Sequence, residues 1–150
     1  MATETFPDEF MDALIGVQRL LRRRLRRQID PQLRGGEVEL LRLVVLRPGI
    51  GISDAAKELH LAGNSVSTLV NQLSRQGYLV RETNPADRRA ARLMPTAAAG
   101  ARLAEWRKRR GELVRQGLAG LGSADRAALE AAVPALLKLA DNLHEEAEDS

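Results

Sequence analysis

The residues best suited to chemistry lie between Asn64 and Arg75, a segment without a single Asp or Glu. At 100° per residue, its apolar residues fall on one side of a helix and its polar residues on the opposite side or beside it. These polar side chains donate and accept hydrogen bonds, and the segment also carries one positive charge. The candidate contacts among them are Asn64, Ser65, Ser67, Thr68, Asn71, Gln72 and Arg75.

Such a face suits the major groove of double-stranded DNA. Phosphates flank the groove, so a helix that enters it has to avoid carboxylates, whereas an ordinary solvated face would carry Glu. Asn and Gln can pair with adenine through two hydrogen bonds, and Ser and Thr can bond to any base. The plain alternative is a helix surface that is merely polar.

A second feature follows in the segment Asp87-Arg88-Arg89, which lies in turn-forming sequence between two β-compatible runs. Arg88 and Arg89 would project from the tip of a hairpin. Because guanidinium groups are weakly hydrated, they suit the negative potential of a narrow minor groove. We interpret Asp87 as a local brace that orients the neighbouring arginine.

Catalytic and metal-binding patterns are missing from the sequence. Cys is absent, and the two histidines, His60 and His144, have no partners at ligand spacing upstream. His144 with Asp141, Glu145 and Glu146 could bind zinc weakly, but an acidic helix end explains these residues better. There is no glycine-rich phosphate loop and no nucleophile motif, so we expect no enzyme activity, no cofactor and no metal.

Composition and charge narrow the choice of partner. The net charge is +3, but residues 61–122 carry eleven basic and four acidic side chains, while residues 123–150 carry two and seven. The basic middle indicates a polyanionic partner. With one Trp, one Tyr and two Phe, the chain offers few aromatic rings for stacking on single-stranded RNA. No stretch reads as a membrane span or signal peptide, so we expect a cytoplasmic protein.

The helices and strands that must position these residues follow from the spacing of apolar residues and from the residues that begin and end helices. Apolar residues from Phe10 to Leu25 form a helical stripe, limited near Pro31, and a second helix ends at Pro48-Gly49. Ser53 is expected to cap a third helix, and a fourth ends at Gly77. A hairpin of strands 78–83 and 88–94 follows, then a long helix after Thr96 and a last helix from Ser123. Pro134 predicts a kink or a late start in that helix. Two short helices, a tight turn and a hairpin make a winged helix-turn-helix.

These residues resemble the MarR family, the multiple antibiotic resistance regulators of bacteria. The segment 53–59 is similar to the family's first helix-turn-helix element, and 66–73 followed by Gly77 to its recognition helix. The most specific match is the wing signature, Asp87-Arg88-Arg89 with Thr96 nine residues after the Asp. Residues 121–126 resemble the start of the family's last helix.

The resemblance implies a mainly α fold with a small β-hairpin wing, in one domain over 1–150. Residues 1–30 and 123–147 would form dimerisation helices, 35–96 the winged helix-turn-helix lobe, and 97–122 a linking helix. It implies a homodimeric repressor of a pseudo-palindromic operator, with the helix from Asn64 in the major groove and Arg89 in the minor groove. A small aromatic or anionic effector would relieve repression, for which Trp106 and the arginines of 19–27 are candidate contacts.

The sequence departs from the family pattern at a few positions. His60 stands where Gly is usual in a turn that needs a positive φ, and Ala62 stands where Ser commonly caps the recognition helix, so Gly63 or Asn64 would begin it. Pro95 cannot donate to a ladder, so the return strand should end early or lie at an edge. These departures motivate the alternative, a helical dimer that binds a protein or small ligand and keeps a vestigial winged helix.

Overall fold

A computed structural model describes residues 4–29, 33–87 and 89–148, with the backbone alone for residues 145–148. The described residues form six helices and a three-stranded antiparallel sheet. In chain order these are α1 (Phe6–Arg26), α2 (Gly35–Leu46), β1 (Ile50–Gly51), α3 (Ile52–Leu59), α4 (Gly63–Arg75), β2 (Leu79–Thr83), β3 (Ala91–Pro95), α5 (Ala97–Ala119) and α6 (Ser123–Glu148). Pro31, the predicted limit of the first helix, lies outside the described residues. The predicted fold class, a mainly helical winged helix-turn-helix, is confirmed.

The chain divides into two compact units, residues 1–110 and 111–150. The first unit contains the winged helix-turn-helix, α2 to β3, and its hydrophobic core. Side chains from α2, α3, α4 and all three strands meet in this core, together with Ala99 of α5. The largest fully buried side chains are Leu40, Leu41, Val44, Val66, Val70, Leu73, Leu79 and Leu93.

The sheet has the order β1-β3-β2, and β1 is a strand that the sequence analysis missed. Ile50 lies opposite Leu93 and Gly51 opposite Arg92. A two-residue strand carries no readable alternation of apolar and polar residues, so only its partner reveals it. Its presence also corrects the expected cap of α3. The chain leaves β1 at Gly51 in an extended conformation and α3 begins at Ile52, so Ser53 lies inside the first turn and Gly51 is the N-cap residue.

The expectation for Pro95 is wrong, because β3 includes Pro95 and is the central strand. The backbone N–H of Thr96 donates to the Tyr78 carbonyl oxygen at 3.0 Å. Successive residues of a strand point their backbone groups to opposite sides, so the nitrogen of Pro95 faces away from β2. On its other side, the pairing with β1 ends at Leu93. The missing N–H therefore falls where no partner strand requires it.

Two turns around α3 and α4 use left-handed backbone. His60 has φ 52° and ψ 43°, so the predicted positive φ at this position is confirmed. The Leu61 N–H donates to the Ala56 carbonyl oxygen at 2.9 Å, which closes the end of α3. α4 then begins at Gly63, after Ala62, and it ends as predicted before Gly77, whose φ is 81°.

The second unit contains the end of α5 and the whole of α6. α6 begins at Ser123 and runs through Pro134, so a late start of this helix is wrong. Among the described residues, no helix is long and apolar enough to cross a membrane.

Replacement of Gly77 by Ala tests the left-handed turn after α4. A Cβ at Gly77 would meet nothing within 4 Å, so its cost is confined to the backbone conformation. We expect Gly77→Ala to lower the free energy of unfolding by roughly 1 kcal/mol. Gly100 in α5 is the matched control, since its Cβ is equally unhindered and its backbone is helical, so Gly100→Ala should raise stability by roughly 0.5–1 kcal/mol. Urea unfolding midpoints measure the stability of both variants. Stability changes in the same direction for the two variants would contradict the prediction.

Candidate nucleic-acid interface

One side of α4 is anchored in the core, and this fixes which side faces solvent. Val66, Val70 and Leu73 are fully buried, and the helix packs against α2, α3 and β2. Burial of each such side chain stabilises the fold by about 1.5–3 kcal/mol, so the helix cannot rotate without a large loss of stability. Residues on the opposite side are exposed as a direct consequence.

The exposed residues include most of the polar set predicted from the sequence. Asn64, Ser65, Thr68, Asn71 and Arg75 are exposed. The Thr68 hydroxyl donates to the Asn64 carbonyl oxygen at 3.0 Å, so its remaining capacity toward a ligand is that of an acceptor and a methyl group. These five residues form the exposed face of α4, and the name is used for them below.

Ser67 and Gln72 are placed differently from the other five. Both are half-buried at the edge of the helix. The Gln72 side-chain oxygen is buried and has no hydrogen-bond partner among the described residues. Since Gln72 turns its acceptor inward, it is less suited to contact a base than the exposed face.

The wing is a hairpin in which side chains at the turn accept hydrogen bonds from the backbone. Glu82 pairs with Arg92 and Thr83 with Ala91 in the ladder. Beyond the ladder, the Asn84 side-chain oxygen accepts from the Ala86 N–H at 3.0 Å, and the Asp87 carboxylate accepts from the Arg89 N–H at 3.0 Å. The local brace expected of Asp87 is thus a contact with the backbone of Arg89. Arg89 is exposed at the tip, and Arg88 lies outside the described residues.

A contact that the sequence analysis missed joins the wing to α4. Arg81 Nη2 donates to Asn71 Oδ1 at 2.8 Å. The available signal was the alternation of β2: Arg81 shares a sheet face with Leu79, two residues earlier, and Leu79 is buried in the core beside α4. The pattern placed Arg81 on the side that faces α4, but only the packing of strand on helix reveals its partner.

A cavity of about 390 Å³ lies away from α4, between residues of α1, α2 and α5. Of the described residues that line it, five are arginines and one, Glu39, is acidic. The arginines are Arg22, Arg26, Arg42, Arg102 and Arg110. Arg22 and Arg26 belong to the segment 19–27 that was named for an effector, and Trp106 also lines the cavity.

Two of these arginines make cation–π contacts with Trp106. The guanidinium carbon of Arg42 lies 4.8 Å from the centre of the indole ring, and that of Arg110 lies 4.5 Å from it. Burial lowers the pKa of Arg110, and the positive charges of Arg42 and Arg107 lower it further. The cavity therefore combines an aromatic surface with an excess of positive charge, which suits an anion that carries a ring.

Among the residues whose side chains are described, no group of three or more histidine or acidic side chains could hold a metal ion. The side chains of Glu145 and Glu146, part of the weak zinc candidate, lie outside the described residues.

Comparison with known proteins relates the winged helix-turn-helix to one family. Residues 30–90 match the model described as the MarR family. The similarity to this family therefore covers the winged helix-turn-helix. The match spans α2 to the tip of the wing, which includes the exposed face of α4. No curated protein matches the chain.

Solved structures extend the similarity of fold beyond that segment. A MarR family protein of Bacillus stearothermophilus is 14% identical, with a TM-score of 0.75 over 94% of this chain and 99% of that one. FabT of Streptococcus pneumoniae, solved in complex with DNA, is 19% identical, with a TM-score of 0.72 over 93% of this chain and 98% of that one. The PcaV regulator of Streptomyces coelicolor, solved with its natural ligand, is 19% identical, with a TM-score of 0.60 over 93% and 99%. At these identities the likeness concerns the fold.

Proposed function

We propose that this protein is a sequence-specific, homodimeric DNA-binding transcriptional regulator that represses a pseudo-palindromic operator and is released by a small anionic effector. The observation that carries the proposal is the exposed face of α4, which is polar and free of carboxylates. It lies opposite the side on which Val66, Val70 and Leu73 are fully buried. The match of residues 30–90 to the MarR family model supports the proposal.

For DNA binding, α4 is assigned to the major groove and the wing tip to the minor groove. Asn64, Ser65, Thr68, Asn71 and Arg75 would contact bases or phosphates from α4, with Ser67 and Gln72 at its margin. Arg89, and Arg88 beside it, would contact the minor groove. FabT, solved in complex with DNA, lends the assignment support by analogy of fold.

For dimerisation, residues 1–30 and 123–147 are assigned to the interface between two copies of the chain. Each region exposes several large apolar side chains, and soluble monomers rarely expose large apolar patches. On α1 these include Phe6, Ile15 and Leu20, and on α6 Leu129, Val133, Leu137 and Leu143, all at least half exposed. The α6 residues follow a helical spacing, so a second copy would cover them as one continuous stripe.

For regulation, the cavity beside Trp106 is assigned to an aromatic anion. Its five arginines exceed its single carboxylate, so an anionic ligand would relieve their mutual repulsion. PcaV, a fold relative solved with its natural ligand, supports the idea that an effector acts on such a protein.

Replacement of Arg89 by Ala tests the DNA assignment. The operator is first selected from fragments of the parent genome, and binding is then measured by fluorescence anisotropy at several salt concentrations. We expect Arg89→Ala to weaken binding about tenfold and to make the salt dependence shallower, because fewer counterions are released. Arg107→Ala removes the same charge from an exposed position on α5 and should change affinity little. A selection that enriches no palindrome while the dimer stays intact would favour the vestigial winged helix instead.

Replacement of Val133 by Arg tests the dimer. Light scattering of the unchanged protein should give twice the 16.5 kDa mass of the chain. Val133→Arg puts a charge into the apolar stripe, so we expect a monomer or a much weaker dimer. Ala131→Arg is the control, since Ala131 is exposed and lies 200° away around α6. Dissociation by both variants, or a monomeric unchanged protein, would refute the assignment.

Fluorescence of Trp106 tests the effector cavity, because it is the only Trp in the chain. We expect benzoate to change this fluorescence and to release DNA, whereas the uncharged benzamide should do neither. Arg110→Gln should weaken benzoate binding about tenfold through loss of a charge-assisted contact. Arg107→Gln, next to the cavity but not lining it, should bind benzoate almost normally. Equal responses to benzoate and benzamide would exclude an anion site.

A further inference from the structure

The hydrogen bond between Arg81 and Asn71 determines how the recognition helix presents its asparagine. Arg81 Nη2 and Asn71 Oδ1 are 2.8 Å apart, and both side chains are exposed. Their backbones are fixed by neighbours in the core: Val70 precedes Asn71, and Leu79 lies two residues before Arg81 on the same face of β2. The two side chains are thus held by rigid elements rather than by loops.

The chemistry of the pair fixes the orientation of the amide. A guanidinium group has only donors, so the atom of Asn71 that faces it has to be the oxygen. The amide nitrogen, with its two N–H groups, then points away from Arg81. The bond uses one of the two lone pairs of the oxygen and restrains the rotation of the amide. An unrestrained asparagine can turn its oxygen and its nitrogen together toward adenine N6 and N7.

We propose that Arg81 is a positioning residue that holds Asn71 as a hydrogen-bond donor at the DNA surface. Asn71 then recognises an acceptor in the major groove, guanine O6 or N7 or thymine O4, in preference to the donor-acceptor pair of adenine. The inference rests on the proposed DNA-binding function and revises the adenine contact expected from the sequence. It also makes the wing a part of base recognition through a residue of β2 and not of the tip.

The simpler role for Arg81 is a phosphate contact, and the two roles have different signatures. A phosphate contact contributes equally to every DNA sequence and adds to the salt dependence. A positioning residue acts through Asn71, so its removal changes the preference at the one base pair that Asn71 reads. The effects of Arg81 and Asn71 variants would then overlap instead of multiplying.

The experiment measures binding of the selected operator and of all its single-base variants. The variants are Arg81→Met, Arg81→Lys, Asn71→Ala, and the double variant Arg81→Met with Asn71→Ala. Arg81→Met keeps a long side chain at this position but removes its hydrogen-bond donors. Arg75→Met is the matched control, because Arg75 is an exposed arginine of α4 that loses the same charge outside the Arg81–Asn71 pair.

We expect Arg81→Met and Asn71→Ala each to weaken operator binding about tenfold and to flatten the preference at the same base pair. The double variant should be about as weak as either single variant. Arg75→Met should weaken binding without altering that base preference, and its effect should multiply with that of Asn71→Ala. Arg81→Lys should restore the salt dependence and only part of the base preference.

A measurement without DNA makes the contact itself testable. In the free protein, the side-chain amide NMR signals of Asn71 should shift in Arg81→Met and stay in place in Arg75→Met. The inference is overturned if the Asn71 signals do not shift in Arg81→Met, if the losses of affinity from Arg81→Met and Asn71→Ala multiply, or if Arg81→Met leaves the base preference unchanged. Each of these outcomes leaves the proposed function standing. If the unchanged protein selects no DNA sequence, the proposed function fails, and the inference fails with it.

Discussion

The burial of Val66, Val70 and Leu73 is the constraint on which the rest of the molecule depends. These side chains fix the rotation of α4 in the core, so the polar face projects into solvent without a separate device to hold it. The same core includes Leu79 and Leu93 of the sheet, so the wing and α4 share one rigid support. A recognition surface made of two elements keeps its geometry only when both are anchored to the same core.

Periodicity predicted the helices and the faces of α4 well, because a 3.6-residue repeat of apolar residues records burial directly. It failed where structure depends on a partner far along the chain. β1 exists only because β3 lies beside it, and the start of α3 moved to Ile52 because the chain comes from that strand. Pro95 was misread for the same reason: its tolerance depends on where the ladder to β1 ends.

The site shows the same division between local and long-range information. The helical repeat predicted which side chains of α4 are exposed, and the resemblance to the family's turn predicted the left-handed conformation of His60. Gln72 stays a prediction, but the periodicity did not show that its side-chain oxygen turns inward. It also missed the Arg81–Asn71 bond, which changes what Asn71 can offer a base. Residue type gave the capacity for hydrogen bonding, and packing decided how much of it remains free.

The position of α2 limits how an effector could act on DNA binding. Val38, Glu39 and Arg42 of this helix line the cavity, while Leu40, Leu41 and Val44 on its other side are fully buried in the core where α4 packs. A ligand alters an equilibrium only if it binds two conformations with different affinity. Since Arg42 contacts Trp106 and its helix packs against α4, a shift of α2 is the most direct route by which charge neutralisation in the cavity would move the exposed face of α4. The core is densely packed and deforms little, so such a shift would move α2 as a rigid body.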